Sequence, residues 1–117
     1  MNLKRRLKKN EEFKEVIDCR VLVKTKSCNI FFKKTAEPYK FGVSVSKKLG
    51  NSVIRNLTKR RIRAILREID DSKFIYNHNL VIIAKSPILQ MTYQELKNDL
   101  EKPIIKRFIG DQNEKIN

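Results

Sequence analysis

The chain has 117 residues, with 27 Lys and Arg against 13 Asp and Glu, a net charge of +14 and an isoelectric point near 10.0. That length supports one domain with a single modest core, and the charge points to nucleic acid ahead of an anionic membrane surface. No apolar run approaches the roughly 18 to 20 residues of a spanning helix. The first ten residues lack the apolar stretch of a secretory signal, and a single His without a CxxC spacing argues against a zinc site. The expected compartment is the cytoplasm. Cys19 and Cys28 fit it as reduced thiols, although their spacing leaves a disulfide open.

Residues 1–9 carry five Lys and Arg and read as a basic arm. Asn10 is placed to cap a first helix, with Glu11 and Glu12 at its positive end and Phe13, Val16 and Ile17 as its apolar edge. This helix is expected to end near Asp18. From Arg20 to Lys33 the period is two, with Cys28, Ile30 and Phe32 on one side of a strand and Asn29, Phe31 and Lys33 on the other. A turn through Pro38 is expected to return the chain antiparallel into Phe41–Ser46. There Phe41, Val43 and Val45 oppose Gly42, Ser44 and Ser46. If the apolar sets share the core, the other face becomes a polar floor with one aromatic, Phe31. Such a face suits single-stranded nucleic acid, while packing on a sheet covered on both sides is the competing role for Phe31.

Gly50-Asn51-Ser52 leads into a second helix, with Asn51 or Ser52 as its N-cap. Ile54, Thr58, Ile62, Ile65, Leu66 and Ile69 follow the helical period and are expected to face the core. Between Pro38 and Arg67 there are nine basic residues and no Asp or Glu. Arg55, Lys59 and Arg63, four residues apart, form a stripe beside Arg60 and Arg67. Like charges at that spacing cost a few tenths of a kcal/mol per pair, so a polyanion is the expected compensation. A polar connection follows, holding Phe74 and Tyr76, with a turn at Asn77-His78-Asn79 that puts His78 on the surface. The run LVIIA at Leu80–Ala84 is apolar on both faces, which predicts parallel pairing across the basic helix and hence a βαβ unit. Thr92 and Glu95 form a capping box for a last helix containing Pro103 and stopping at Gly110. Residues 1–110 are thus expected to form one RNA-binding domain, and 111–117 a disordered tail.

The order helix, strand, strand, helix, strand, helix, with LKKNEEF at 7–13 and FGVSVSKKLGNSVIRN at 41–56, resembles the protein subunit of bacterial ribonuclease P. The family's central motif matches from Lys48, Leu49, Gly50, Asn51 and Ser52 through Arg55 and Asn56 to Lys59 and Arg60. Leu57 stands where the family usually has an arginine, so no contact of that arginine is carried over. The resemblance implies an α+β fold: a small, ribosomal-protein-like α/β sandwich of order α-β-β-α-β-α with a left-handed βαβ crossover, an exception to the right-handed rule. It further implies a protein that assists a catalytic RNA in endonucleolytic removal of the 5′ leader from precursor tRNA and lowers the magnesium requirement. Mg²⁺ would be held mainly by that RNA, with no organic cofactor on the protein. By resemblance, Lys47, Lys48, Asn51, Arg55, Asn56, Lys59, Arg60 and Arg63 meet the catalytic RNA. Phe13, Ile17, Phe31, Ser44 and Ser46 line a cleft for the leader, with Ile17 replacing a usual aromatic.

The residue inventory supports an auxiliary role independently. Metal-dependent hydrolysis by the protein would need converging carboxylates, and acid–base cleavage typically two His or a His–Glu pair. This chain has one His, and its acids lie away from the basic stretch, so no catalytic residue is assigned. On composition alone, a structured-RNA scaffolding protein of ribosomal type is the alternative. A DNA-binding regulator fits less well, because strands flank the basic helix and few Asn or Gln residues lie on it to read bases. Neither DNA nor a membrane is an expected partner.

Overall fold

A computed structural model describes residue 7 and residues 10–35, 40–71 and 78–116, with side chains of 70, 71 and 107–116 left aside. Helix α1 spans Asn10–Asp18 with Glu11 and Glu12 in its first turn, where the helix dipole favours them. Arg20 closes it in the left-handed region, φ 57°, its N–H bonded to the Ile17 carbonyl at 3.0 Å.

The stretch expected as one strand is a hairpin. β1 (Val21–Lys24) and β2 (Cys28–Lys34) pair antiparallel, Leu22 opposite Phe31. Thr25 Oγ1 accepts from the Cys28 N–H at 3.0 Å in the turn between them. Alternation runs through both strands and hides the reversal; only the polar Thr25-Lys26-Ser27 marks it. The order is therefore α-β-β-β-α-β-α.

The expected pairing of β2 with β3 (Phe41–Ser44) is also replaced. β4 (His78–Ala84) lies between them, antiparallel to β2 and parallel to β3, in a mixed sheet of order β1-β2-β4-β3. A strand apolar on both faces belongs at the centre of a sheet, and Leu80, Val81, Ile82 and Ala84 are all buried there. The parallel β3–β4 pair is joined through helix α2 (Ser52–Asp71), as the LVIIA run predicts. His78 corrects its expected surface position: it opens β4, is 2% exposed, and meets Phe32 edge-on at 6.1 Å between ring centres. Phe74 and Tyr76 lie outside the described residues.

One face of the sheet carries the main core. Cys28, Ile30, Phe32, Phe41, Val43, Leu80 and Ile82 pack against Ile62, Ile65, Leu66 and Ile69 of α2 and Leu96, Leu100 and Ile104 of α3 (Tyr93–Ile116). Ile54 departs from its expected place in this core: it lies against Gly50 in the turn before α2 and is 39% exposed, and burial on the helix begins at Thr58. α3 opens with the capping box: Thr92 N–H to Glu95 Oε1 at 3.0 Å and Glu95 N–H to Thr92 Oγ1 at 3.2 Å. It passes Gly110, where its stop was expected, and continues to Ile116; one interior glycine costs only about 1 kcal/mol. Asp99 ties α3 to the hairpin by accepting from the Ser27 N–H at 2.9 Å and from the Ser27 hydroxyl. Both cysteines are free thiols, Cys19 exposed and Cys28 buried, and burial pushes the Cys28 thiol up to about 11.

Candidate nucleic-acid interface

The basic segment starts where β3 ends. Ser46 Oγ accepts from the Lys48 N–H at 3.1 Å and caps a single 3-10 turn at Lys47–Leu49, which leaves both lysines exposed. Gly50 follows with φ 154°, a conformation that disfavours side chains, and an added Cβ would lie 3.0 Å from three Ile54 atoms. Asn51 then caps α2, its Oδ1 accepting from the Ile54 N–H at 3.0 Å. Of the two cap candidates the structure selects Asn51, and that oxygen is occupied.

On α2, Arg55, Lys59 and Arg63 are half-buried at the rim of the core, while Asn56 and Arg60 are exposed. Glu68 marks the side that meets α3, through Lys97 Nζ at 3.0 Å and the Tyr93 hydroxyl at 3.2 Å. The Lys97 ammonium foremost holds the Glu68 carboxyl below its usual range. Lys59, in the middle of the stripe, lies about 180° around the helix from Glu68. The stripe therefore faces away from α3, on the side where α2 packs against β3 and the Lys47–Leu49 turn. Arg55 Nε is buried and has no hydrogen-bond partner among the described residues.

The second surface is the outer face of the sheet. α1 crosses it with Val16 buried against Val81 and Leu7, and Phe13, Ile17, Phe31 and Ile83 half-buried around them. The Leu7 N–H donates to the Phe41 carbonyl at 2.8 Å, which places Leu7 beside β3. Register puts Leu22, Phe31, Val81 and Gly42 in one row across the sheet, and Lys24, Asn29, Ile83 and Ser44 in the next. Phe13 lies directly over Gly42: a Cβ there would be 2.3 Å from Phe13 Cζ. Only a glycine admits the ring at this distance. α1 is anchored beside the same row by Glu15 to Lys33 at 3.2 Å and Glu12 to Lys40 at 3.8 Å. Ser44 and Ser46 are exposed and lead directly into Lys47.

The two groups of residues singled out from the sequence are thus neighbours across the β3 edge, one a shallow half-apolar floor and the other a cationic flank. Phe31 is half-buried against the cluster of Leu7, Val16 and Val81. Asn29 and Gly42 lie on this floor, on the side where alternation puts them. Leu22 and Ile83 join it without a signal of their own, because their places follow from the hairpin and from the strand order. Among the described residues no three His, Cys, Asp or Glu side chains gather where they could hold a metal ion. No described helix is long and apolar enough to cross a membrane.

A small mixed α+β protein with an acid-free cationic flank beside an aromatic-bearing sheet face belongs to the class of polyanion-binding proteins. The family model for Ribonuclease P matches residues 1–108. The chain is 37% identical over 105 residues to the ribonuclease P protein component of Mycoplasma mycoides, covering 89% of this chain and 96% of that protein. It is 40% identical over 102 residues to that of a Geobacillus species, covering 86% and 87%. The solved Staphylococcus aureus RNase P protein superposes with a TM-score of 0.76 at 31% identity, over 84% of this chain and 90% of that one. The Thermotoga maritima protein shares the fold at a TM-score of 0.78 and 18% identity, over 86% and 96%. The chain belongs to the bacterial ribonuclease P protein family.

Proposed function

We propose that this protein is the RNA-binding subunit of a ribonuclease P, assisting a catalytic RNA in cutting the 5′ leader from precursor tRNA in the cytoplasm. Family membership carries the reading, and the juxtaposition of flank and floor supports a division of labour. Lys47, Lys48, Arg55, Asn56, Lys59, Arg60 and Arg63 contact the catalytic RNA. Phe13, Ile17, Phe31, Ser44 and Ser46 receive the single-stranded leader. Residues 1–110 act as one RNA-binding domain, with 1–9 as a basic arm. Asn51 serves through the backbone it caps, setting where the flank begins.

The mechanism is electrostatic and geometric. Where RNA and leader crowd together, fixed cations neutralise phosphates that would otherwise need magnesium counterions, and this lowers the magnesium requirement. Stacking on Phe31 adds about 1 to 3 kcal/mol per base without a sequence demand. On this reading Mg²⁺ and the hydrolytic chemistry are assigned to the RNA, which family membership supports.

The test is cleavage of a precursor tRNA at low magnesium by the cognate ribonuclease P RNA, with and without the protein, and by the protein alone. Stimulation only when RNA is present is the expected result. Cleavage by the protein alone would reveal a catalytic site of its own, and no stimulation would leave a structured-RNA scaffolding protein.

A further inference from the structure

Three apolar side chains stand exposed on the first turns of α2: Val53 at 73%, Leu57 at 44% and Ile54 at 39%. The other exposed large apolar residues among those described, Leu22 and Leu89, are separated in the chain. Single apolar residues on a surface are ordinary; three within five positions of one helix end form a patch that calls for a partner. The fold does not require them, because burial on α2 begins at Thr58. Helix initiation does not require them either, since Asn51 provides the cap. Val53 and Leu57, four residues apart, stand about 6 Å from each other along the axis, with Ile54 beside them over Gly50.

The charge around the patch selects its occupant. Lys47 and Lys48 precede it, Arg60 and Arg61 follow it, and no acidic residue lies between Pro38 and Arg67. A second copy of the chain would bring the same cations against these, in a molecule already at +14. An apolar patch framed only by cations is complementary to a polyanion that also presents apolar surface. RNA does so where a base has left its stack, showing a flat ring between two phosphates.

We propose that Val53, Ile54 and Leu57 dock an unstacked nucleobase of the catalytic RNA, with Lys48 and Arg60 on the flanking phosphates. The inference rests on the ribonuclease P reading and adds to α2 a contact of different chemistry from its ionic ones. Burying an apolar group against a base releases no counterion, so it strengthens binding without changing the salt slope.

Binding of the full-length protein to the cognate ribonuclease P RNA, measured across a salt series, separates the two contributions. The double variant Val53→Ala, Leu57→Ala keeps strong helix formers on the exposed surface, and circular dichroism checks that it folds. It is expected to bind about tenfold more weakly at every salt concentration, consistent with the loss of a few buried methyl groups, at the wild-type slope. Arg60→Gln, the ionic reference, is expected to flatten the slope by about 0.7 to 0.9. Unchanged affinity in the double variant, or a flattened slope, overturns the nucleobase assignment. So does a wild-type dimer in RNA-free sedimentation that the double variant abolishes, which gives the patch to a second copy. Each of these leaves wild-type stimulation of cleavage intact; a wild type that binds this RNA no better than an unrelated RNA fails the functional reading as well.

Discussion

At the scale of single residues, the contact between Phe13 and Gly42 sets the height of the sheet's outer face. The ring occupies the space a side chain at position 42 would need, 2.3 Å from the ideal Cβ to Cζ. Gly42→Ala must therefore push Phe13 off β3. Because Phe13 is only half-buried, it can swing outward, at an expected stability loss of about 1 to 2 kcal/mol for overpacking. The displaced ring would obstruct the floor beside Phe31. Gly42→Ala and Phe31→Ala are both expected to weaken binding of leader-bearing precursor tRNA by roughly five- to a hundredfold, the range of one stacked base. Mature tRNA, which has no leader, should bind almost as before. Equal loss for both substrates in a binding titration would remove Phe13 and Phe31 from leader recognition.

At the scale of elements, the weakest-looking join is that of the β1–β2 hairpin to α3, and Asp99 supplies it. Burial raises the Asp99 carboxyl, but the hydrogen bonds from the Ser27 hydroxyl and N–H, with Thr25 and Lys26 adding to them, outweigh it and hold the group below its usual range. A depressed carboxylate contributes stability above its unfolded value, about 3.9, and loses it as pH falls through the lower folded value. Asp99→Asn is expected to cost about 1 to 2 kcal/mol near neutral pH, because Ser27 is fully buried and would keep poorer partners. Thermal melts should therefore differ by several degrees at pH 7 and begin to converge only as pH falls below about 4, toward the lower folded value; a gap independent of pH would assign the loss to packing. The same region marks the limit of what the sequence discloses. Local patterns located α1, β3, α2, the capping box of α3 and the doubly buried β4, because each rests on neighbours within a few positions. The turn at Thr25–Ser27 sat inside unbroken alternation, and the insertion of β4 between β2 and β3 is a pairing between distant segments. The cationic stripe was legible from four-residue spacing, whereas Phe13 over Gly42 joins two elements and exists only after folding.

For the whole molecule, the decisive quantity is a charge of +14 on a chain whose Cα radius of gyration is 13.7 Å, close to the roughly 13 Å of a compact globule of this length. Folding gathers cations that the unfolded chain keeps farther apart, and the flank of α2 concentrates them with no acid in the segment. Self-repulsion of this kind opposes the compact state. Two remedies are physically distinct. General screening acts through the Debye length, about 10 Å at 0.1 M, and depends on ionic strength alone. Specific occupancy stabilises by the logarithm of anion concentration over its dissociation constant, about 2.7 kcal/mol at a hundredfold excess. Polyvalent anions sitting on the flank would act by the second route, as the RNA would. The melting temperature is therefore expected to rise by several degrees more in sulfate or phosphate than in chloride at matched ionic strength. Replacing Arg55 and Arg60 by Gln should raise the melting temperature in chloride and shrink the difference between the salts. Identical melts in sulfate and chloride would mean that screening alone relieves the flank, and that the protein reaches its fold without a bound anion.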